Sequence, residues 1–170
     1  MILIVMGVTG TGKSTIAREL AQRTGWPFAE GDDYHSQANI EKMKAAIPLT
    51  DADRAPWLAA LHQVLLQWQL AGSSGVMTCS ALKESYRVTL SEGMDLASFH
   101  FVLLEVPRDV LIARLAHRPG HFMNPALLDS QLATLEMPND AIRVSADQTP
   151  SATVDDILKQ LSLPAAAVQT

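Results

Sequence analysis

Gly7-Val8-Thr9-Gly10-Thr11-Gly12-Lys13-Ser14 constrains this chain more than any other stretch. It satisfies G-x-x-x-x-G-K-[ST], the phosphate-binding P-loop, whose meaning depends on a strand before it and a helix after it. Both flanks fit. Ile2-Leu3-Ile4-Val5-Met6 is an unbroken apolar run, as a parallel strand buried on both faces requires. Beyond Ser14, Ile16, Ala17, Leu20 and Ala21 recur at helical spacing until Gly25 supplies a stop. Glycines let the backbone curl so that successive N–H groups face phosphate oxygens, and the helix presents its positive end to the same anion. Lys13 is then expected at the β- and γ-phosphates and the Ser14 hydroxyl on Mg²⁺, with Thr15 closing the cradle. The expected ligand is a nucleoside triphosphate.

At 170 residues the chain is long enough for one domain around one core, and residues 1–170 are read as such. A net charge of −5 disfavours nucleic acid as the main partner. The lone cysteine, Cys79, allows no internal disulfide and suits a reducing compartment. No apolar run approaches the roughly 18–20 residues that span a bilayer, and the first strand begins at residue 2. No membrane association and a cytoplasmic location are therefore expected.

Past the P-loop helix, Trp26–Ala29 reads as a short strand leading into Glu30-Gly31-Asp32-Asp33. A polar helix is expected over Ser36–Ala46. Thr50-Asp51-Ala52-Asp53 then reads as a capped start of a helix whose Trp57, Leu61, Leu65 and Trp68 form a core stripe. Further strands are expected over Gly75–Cys79, Phe99–Val106 and Ile142–Ser145, with helices around Glu84–Leu90, after Pro107, over Leu127–Leu135 and after Thr149-Pro150. Strands alternating with helices predict an α/β fold, a parallel sheet covered on both faces. Ligands in such sheets lie at the carboxyl ends of the strands. Glu30–Asp33, Ser80–Lys83, the segment after Pro107 and Ala146–Thr149 should thus share a crevice with the P-loop.

Carboxylates beside a triphosphate either hold Mg²⁺ through its waters or accept the proton of an attacking hydroxyl. Glu30 suits the first role and Asp32 the second, with Asp33 left as a helix-start residue. Arg54 has two readings: an exposed partner of Asp51 or Asp53, or a bidentate clamp for a substrate carboxylate. Lys83, Tyr86 and Arg87 have helical spacing, and form either the lining of an anionic polyol site or a solvated helix face. Arg114 and Arg118 lie one turn apart. Arg118 opens a Gly- and Pro-containing segment, about 118–126, with the composition of a kinase lid that excludes water and neutralises developing charge. His35 and His121 are candidates for bonds to substrate hydroxyls. Cys79 reads as a buried strand residue. Glu105 ends its strand where a switch or motor ATPase would carry an acid, but 170 residues leave no room for the rest of such a machine. The Asn-Lys-x-Asp segment of GTPases is absent.

The P-loop, Gly31-Asp32-Asp33-Tyr34-His35, Asn39-Ile40-Glu41-Lys42-Met43 and Pro48-Leu49-Thr50-Asp51-Ala52-Asp53-Arg54-Ala55-Pro56-Trp57-Leu58 together resemble the gluconokinase family. The resemblance continues through Cys79-Ser80-Ala81-Leu82-Lys83, Tyr86-Arg87, Arg114-Leu115, Arg118-Pro119-Gly120-His121-Phe122, Gln131 and Thr134-Leu135-Glu136. It implies ATP-dependent phosphorylation of D-gluconate at its 6-hydroxyl, a three-layer P-loop NTPase fold with strand order 2-3-1-4-5, a mobile lid and a homodimer. By the same resemblance Asp32 stands near the reacting hydroxyl, Arg54 at the sugar-acid carboxylate, Arg114 near adenine, and Arg118 in the lid. Asp147-Gln148-Thr149-Pro150 matches the stretch beside the base. The family often has Asp where this chain has Glu30. Two alternatives share part of this pattern: a kinase of another small hydroxy acid, such as shikimate, and a sugar-acid sensor that binds nucleotide without turnover.

Overall fold

The computed structural model describes residues 1–45, 47–117 and 125–163. Its frame is a five-stranded parallel sheet in the order β2-β3-β1-β4-β5. The strands are β1 (Ile2–Met6), β2 (Phe28–Glu30), β3 (Gly75–Thr78), β4 (Phe99–Glu105) and β5 (Ile142–Ser145). The helices are α1 (Lys13–Thr24), α2 (Gln37–Lys44), α3 (Asp51–Leu70), α4 (Glu84–Ser91), α5 (Arg108–Ala116), α6 (Pro125–Thr134) and α7 (Pro150–Gln160).

β1 runs down the middle of the sheet, paired with β3 on one side and β4 on the other. Its side chains alternate between two apolar layers. Leu3 and Val5 pack with Ile16 and Leu20 of α1 and with Val154, Ile157 and Leu158 of α7. Ile2, Ile4 and Met6 pack with Trp57, Leu61 and Leu65 of α3 and with Tyr86 and Leu90 of α4. All five residues are buried, which is why the strand needs an apolar residue at every position. Full burial of Leu61 and Leu65 contributes about 1.5–3 kcal/mol each. A third cluster of Val8, Leu82, Leu111, Leu115 and Leu128 seats the P-loop on α5 and α6.

The ends of the helices follow the local chemistry. Gly25 caps α1 at φ 70°, with its N–H on the Ala21 carbonyl. Thr50 and Asp53 complete a reciprocal capping box at the start of α3, with the Thr50 N–H 2.9 Å from Asp53 Oδ2. Thr149 caps α7, with Pro150 in its first turn.

The expected second strand is displaced. Trp26 donates its N–H to Ala21 at the end of α1, and Pro27 has none to donate, so pairing starts only at Phe28. The shift brings Glu30 into the strand, opposite Thr78. Two starts are also refined. Ser36, expected inside α2, is its cap, accepting the Asn39 N–H at 3.2 Å. Pro107, expected in the first turn of α5, is that helix's cap residue.

Candidate active site

Parallel pairing puts the carboxyl ends of all five strands on one edge of the sheet. The P-loop leaves that edge from β1. Gly7, Gly10 and Gly12 take positive φ of 138°, 84° and 90°, where a side chain would be strained. Gly12 is the cap residue of α1 and offers its N–H groups no side chain, so the helix start is presented to an anion by backbone alone. Within the loop, the Val8 carbonyl accepts from the Thr11 hydroxyl at 2.9 Å and from Lys13 Nζ at 3.0 Å. The Thr9 N–H donates to Gln131 Oε1 of α6 at 2.7 Å. Ser14 and Thr15 are exposed.

The neighbouring strand ends carry the acceptor side. Gly31 to Tyr34 form a single 3₁₀ turn directly after β2, with Asp32 and Asp33 in it. Asp32 is exposed. The Cys79 thiol lies just past β3, buried in the core. Burial pushes it up to about 12; among the surrounding charges, Asp32 pushes it up while Lys13 and Arg54 pull it down. Such a thiol is an inert core group. Lys13 follows β1 and Asp32 follows β2 on the carboxyl edge of the sheet, and the bond from the Trp57 N–H to the Gly31 carbonyl brings the first turns of α3, with Arg54, to the same edge.

Arg54 sits one turn into α3, half-buried, with its guanidinium carbon 5.8 Å from the centre of the Tyr86 ring. The acids beside it are already engaged. Asp51 accepts from Lys83 Nζ at 2.8 and 2.9 Å and from the Tyr86 hydroxyl. Lys83 foremost, then Tyr86, holds the Asp51 carboxyl below its ordinary range. Asp53 accepts from Lys42 at 2.7 Å and from Thr50, which lowers its pKa to about 2. Among the described residues no carboxylate pairs with Arg54. Its proposed partnership with Asp51 or Asp53 is thereby removed. His35 stacks on Trp57, centroids 4.3 Å apart. Burial, opposed by Asp32 and assisted by Arg54, lowers its pKa, favouring a neutral imidazole.

Two expected site residues have other duties. Arg87 is buried and donates to the Ala81 and Leu82 carbonyls at 2.9 and 3.3 Å, bracing the loop after β3 instead of facing a substrate. Lys83 is the cap residue of α4, in extended conformation, so the two do not share a helical face. Glu30 accepts from the Thr78 hydroxyl with one carboxylate oxygen and faces Arg18 with the other at 3.6 Å. Each oxygen keeps a lone pair beyond these contacts, with which it can accept from a metal-bound water, the role expected of Glu30. Ser14, exposed at the start of α1, is placed for direct contact with the metal. Glu105 pairs with Arg143 at 2.6 Å on the surface, far from a metal acid's duty.

On the far side of the P-loop, Arg114 donates to the Ala146 carbonyl at 2.7 Å and so meets the loop after β5. Gln148 in that loop donates to Ser145 and to Asp156, at 3.1 and 2.8 Å. Arg118, His121 and most of the expected lid lie outside the described residues.

The sequence is 51% identical to a gluconokinase of Gluconobacter oxydans, over 92% of this chain and 89% of that protein. The chain belongs to the gluconokinase family. The family model described as an AAA domain matches residues 2–138. The crystal structure of a gluconokinase from Sinorhizobium meliloti superposes with a TM-score of 0.84 at 42% identity, covering 94% of this chain and 90% of that one. An unliganded sugar kinase from Janibacter gives 0.86 at 45% identity, covering 99% and 98%. Gluconokinase-family membership accounts for the strand order. Three contributors were missed as functional candidates: Thr78, the indole N–H of Trp57, and Gln131. Thr78 carried a readable signal, being the polar residue within a buried apolar run, where a hydroxyl must find partners.

Proposed function

We propose that this chain transfers the γ-phosphoryl group of ATP to the 6-hydroxyl of D-gluconate, with Asp32 as the base. The supporting observation is that Lys13, Asp32 and the first turns of α3 that carry Arg54 all lie on the carboxyl edge of the sheet, beside the P-loop. The 6-oxygen attacks the γ-phosphorus and forms the new P–O bond as the bond to the β,γ-bridging oxygen breaks. The hydroxyl proton passes to Asp32, and ADP leaves. Lys13 and the α1 N-terminus stabilise charge on the transferring group. Arg54 clamps the carboxylate at the other end of the substrate, with Lys83 alongside as a second cation. Neutral His35 bonds a hydroxyl of the polyol. Ser14 would hold Mg²⁺, which supplies charge neutralisation across the phosphates. Mg²⁺ keeps waters and phosphate oxygens among its ligands, so it needs few from protein. Arg114 and Gln148 flank the adenine. Arg118 and His121 are assigned by family resemblance to the phosphoryl group and the substrate. A homodimer in the cytoplasm belongs to the same reading; among the described residues no helix is long and apolar enough to cross a membrane.

A coupled ADP-release assay with gluconate, idonate, shikimate, glycerate and nucleoside monophosphates tests the assignment. Gluconate should give the largest kcat/KM, and no turnover with any acceptor would favour a sensor. Asp32→Asn should lower kcat by about 10²–10⁴, the usual contribution of a general base, with ATP affinity little changed. A near-normal rate would remove Asp32 from the role.

A further inference from the structure

The backbone around Asp32 is held from both sides. Ahead of it, the Gly31 N–H donates to Thr78 Oγ1 at 3.0 Å, and the Gly31 carbonyl accepts from Trp57 Nε1 at 2.7 Å. Both bonds are buried. The Thr78 hydroxyl in turn donates its only proton to Glu30, so its lone pairs are left facing the Gly31 N–H. Behind Asp32, the His35 N–H donates to the Asp32 carbonyl at 3.3 Å. The peptide entering Asp32 is locked to β3 and α3, two elements that also carry Cys79 and Arg54 at their near ends.

We infer that Thr78 and Trp57 are positioning residues for the phosphoryl transfer: they hold the Gly31–Asp32 peptide so that the Asp32 carboxylate meets the acceptor hydroxyl. Glu30 belongs to the same frame, through the Thr78 hydroxyl. This inference rests on Asp32 being the base. Its logic is geometric. A carboxylate on a short turn has no rigidity of its own, and a displacement of 1 Å costs on the order of a hundredfold in rate. Catalytic groups therefore need supporting hydrogen bonds from rigid elements.

Thr78→Val removes the hydroxyl at constant shape. Trp57→Phe removes the N–H and keeps a ring for His35. Each should lower kcat roughly ten- to a hundredfold, with KM for ATP and gluconate within about threefold of wild type. Thr78→Ser should recover most of the rate. The deciding measurement is the double variant. In an Asp32→Asn background Thr78→Val should slow turnover by no more than about twofold, because residues acting through one group are non-additive. A Thr78→Val loss of equal size in both backgrounds overturns the inference and leaves Asp32 in place. So do normal rates for folded Thr78→Val and Trp57→Phe beside a slow Asp32→Asn. A fast Asp32→Asn overturns both readings. Thermal melts accompany each variant, and if Thr78→Val fails to fold, Trp57→Phe in the same two backgrounds decides.

Discussion

Replacing Gly31 with alanine tests how tightly β2 is held against β3. Gly31 does not have positive φ, so alanine is acceptable to the backbone and the cost comes from contact alone. Its added carbon would stand inside 3.0 Å of the Thr78 carbonyl oxygen, 3.2 Å from the Thr78 carbonyl carbon and 3.6 Å from Leu61 Cδ1. The first two are backbone atoms of a central strand and cannot swing away. Relief requires moving the turn off β3, with an overpacking cost of about 1–3 kcal/mol. That movement also stretches the Gly31–Thr78 and Trp57–Gly31 hydrogen bonds, and each buried group left unsatisfied costs about 1–3 kcal/mol. If one of the two bonds is lost, the total is about 2–6 kcal/mol, a large part of the 5–15 kcal/mol that stabilises a typical domain. Urea unfolding followed by tryptophan fluorescence reads this directly, as a fall of about 1–3 M in midpoint for an m-value near 2 kcal/mol/M. Gly25→Ala is the control. It sits at φ 70° with nothing within 4 Å, so only the left-handed backbone is penalised, by about 1–2 kcal/mol. A Gly31→Ala protein as stable as wild type, or no worse than Gly25→Ala, would refute the reasoning.

Arg54→Ala should raise KM for gluconate, by about ten- to a hundredfold for a lost charge-assisted contact, while KM for ATP stays near wild type; an unchanged gluconate KM moves the carboxylate site elsewhere. Asp53 links stability to acid. Lys42 first, then Thr50, lowers its pKa from the ordinary 3.8 to about 2, so its stabilisation is present above pH 4 and is lost as pH falls from about 4 to about 2. The melting temperature of Asp53→Asn should accordingly lie below wild type at neutral pH and converge on it across that acid window. A gap independent of pH would rule out the Asp53 charge as its source.

The P-loop, β1, α1 and the Thr50–Asp53 box were legible because each is encoded within a few residues: a run, a period, a cap. The placement of the Glu30–Asp33 turn beside the P-loop followed less directly, from the rule that parallel strands end on one edge. What stayed hidden depends on register between distant segments. Thr78 meets Gly31 only because Phe28, and not Trp26, opens β2. Gln131 reaches Thr9 across 122 residues. Arg87 was misread because spacing on a helix gives a face but not its direction; burial turned that side chain inward onto Ala81 and Leu82.

The engagement of Asp51 by Lys83 and Tyr86, and of Asp53 by Lys42 and Thr50, bears on what the pocket refuses. Arg54 stands among acids in sequence, yet among the described residues neither forms an ion pair with it. A neutral sugar of the same length, an aldose or a lactone, would fill much the same space and strip water from the guanidinium without returning a negative charge. On the proposed assignment of Arg54 to the substrate carboxylate, rejection of such molecules then comes from an unanswered cation rather than from a clash. That form of selectivity tolerates changes along the polyol chain better than loss of its acid end.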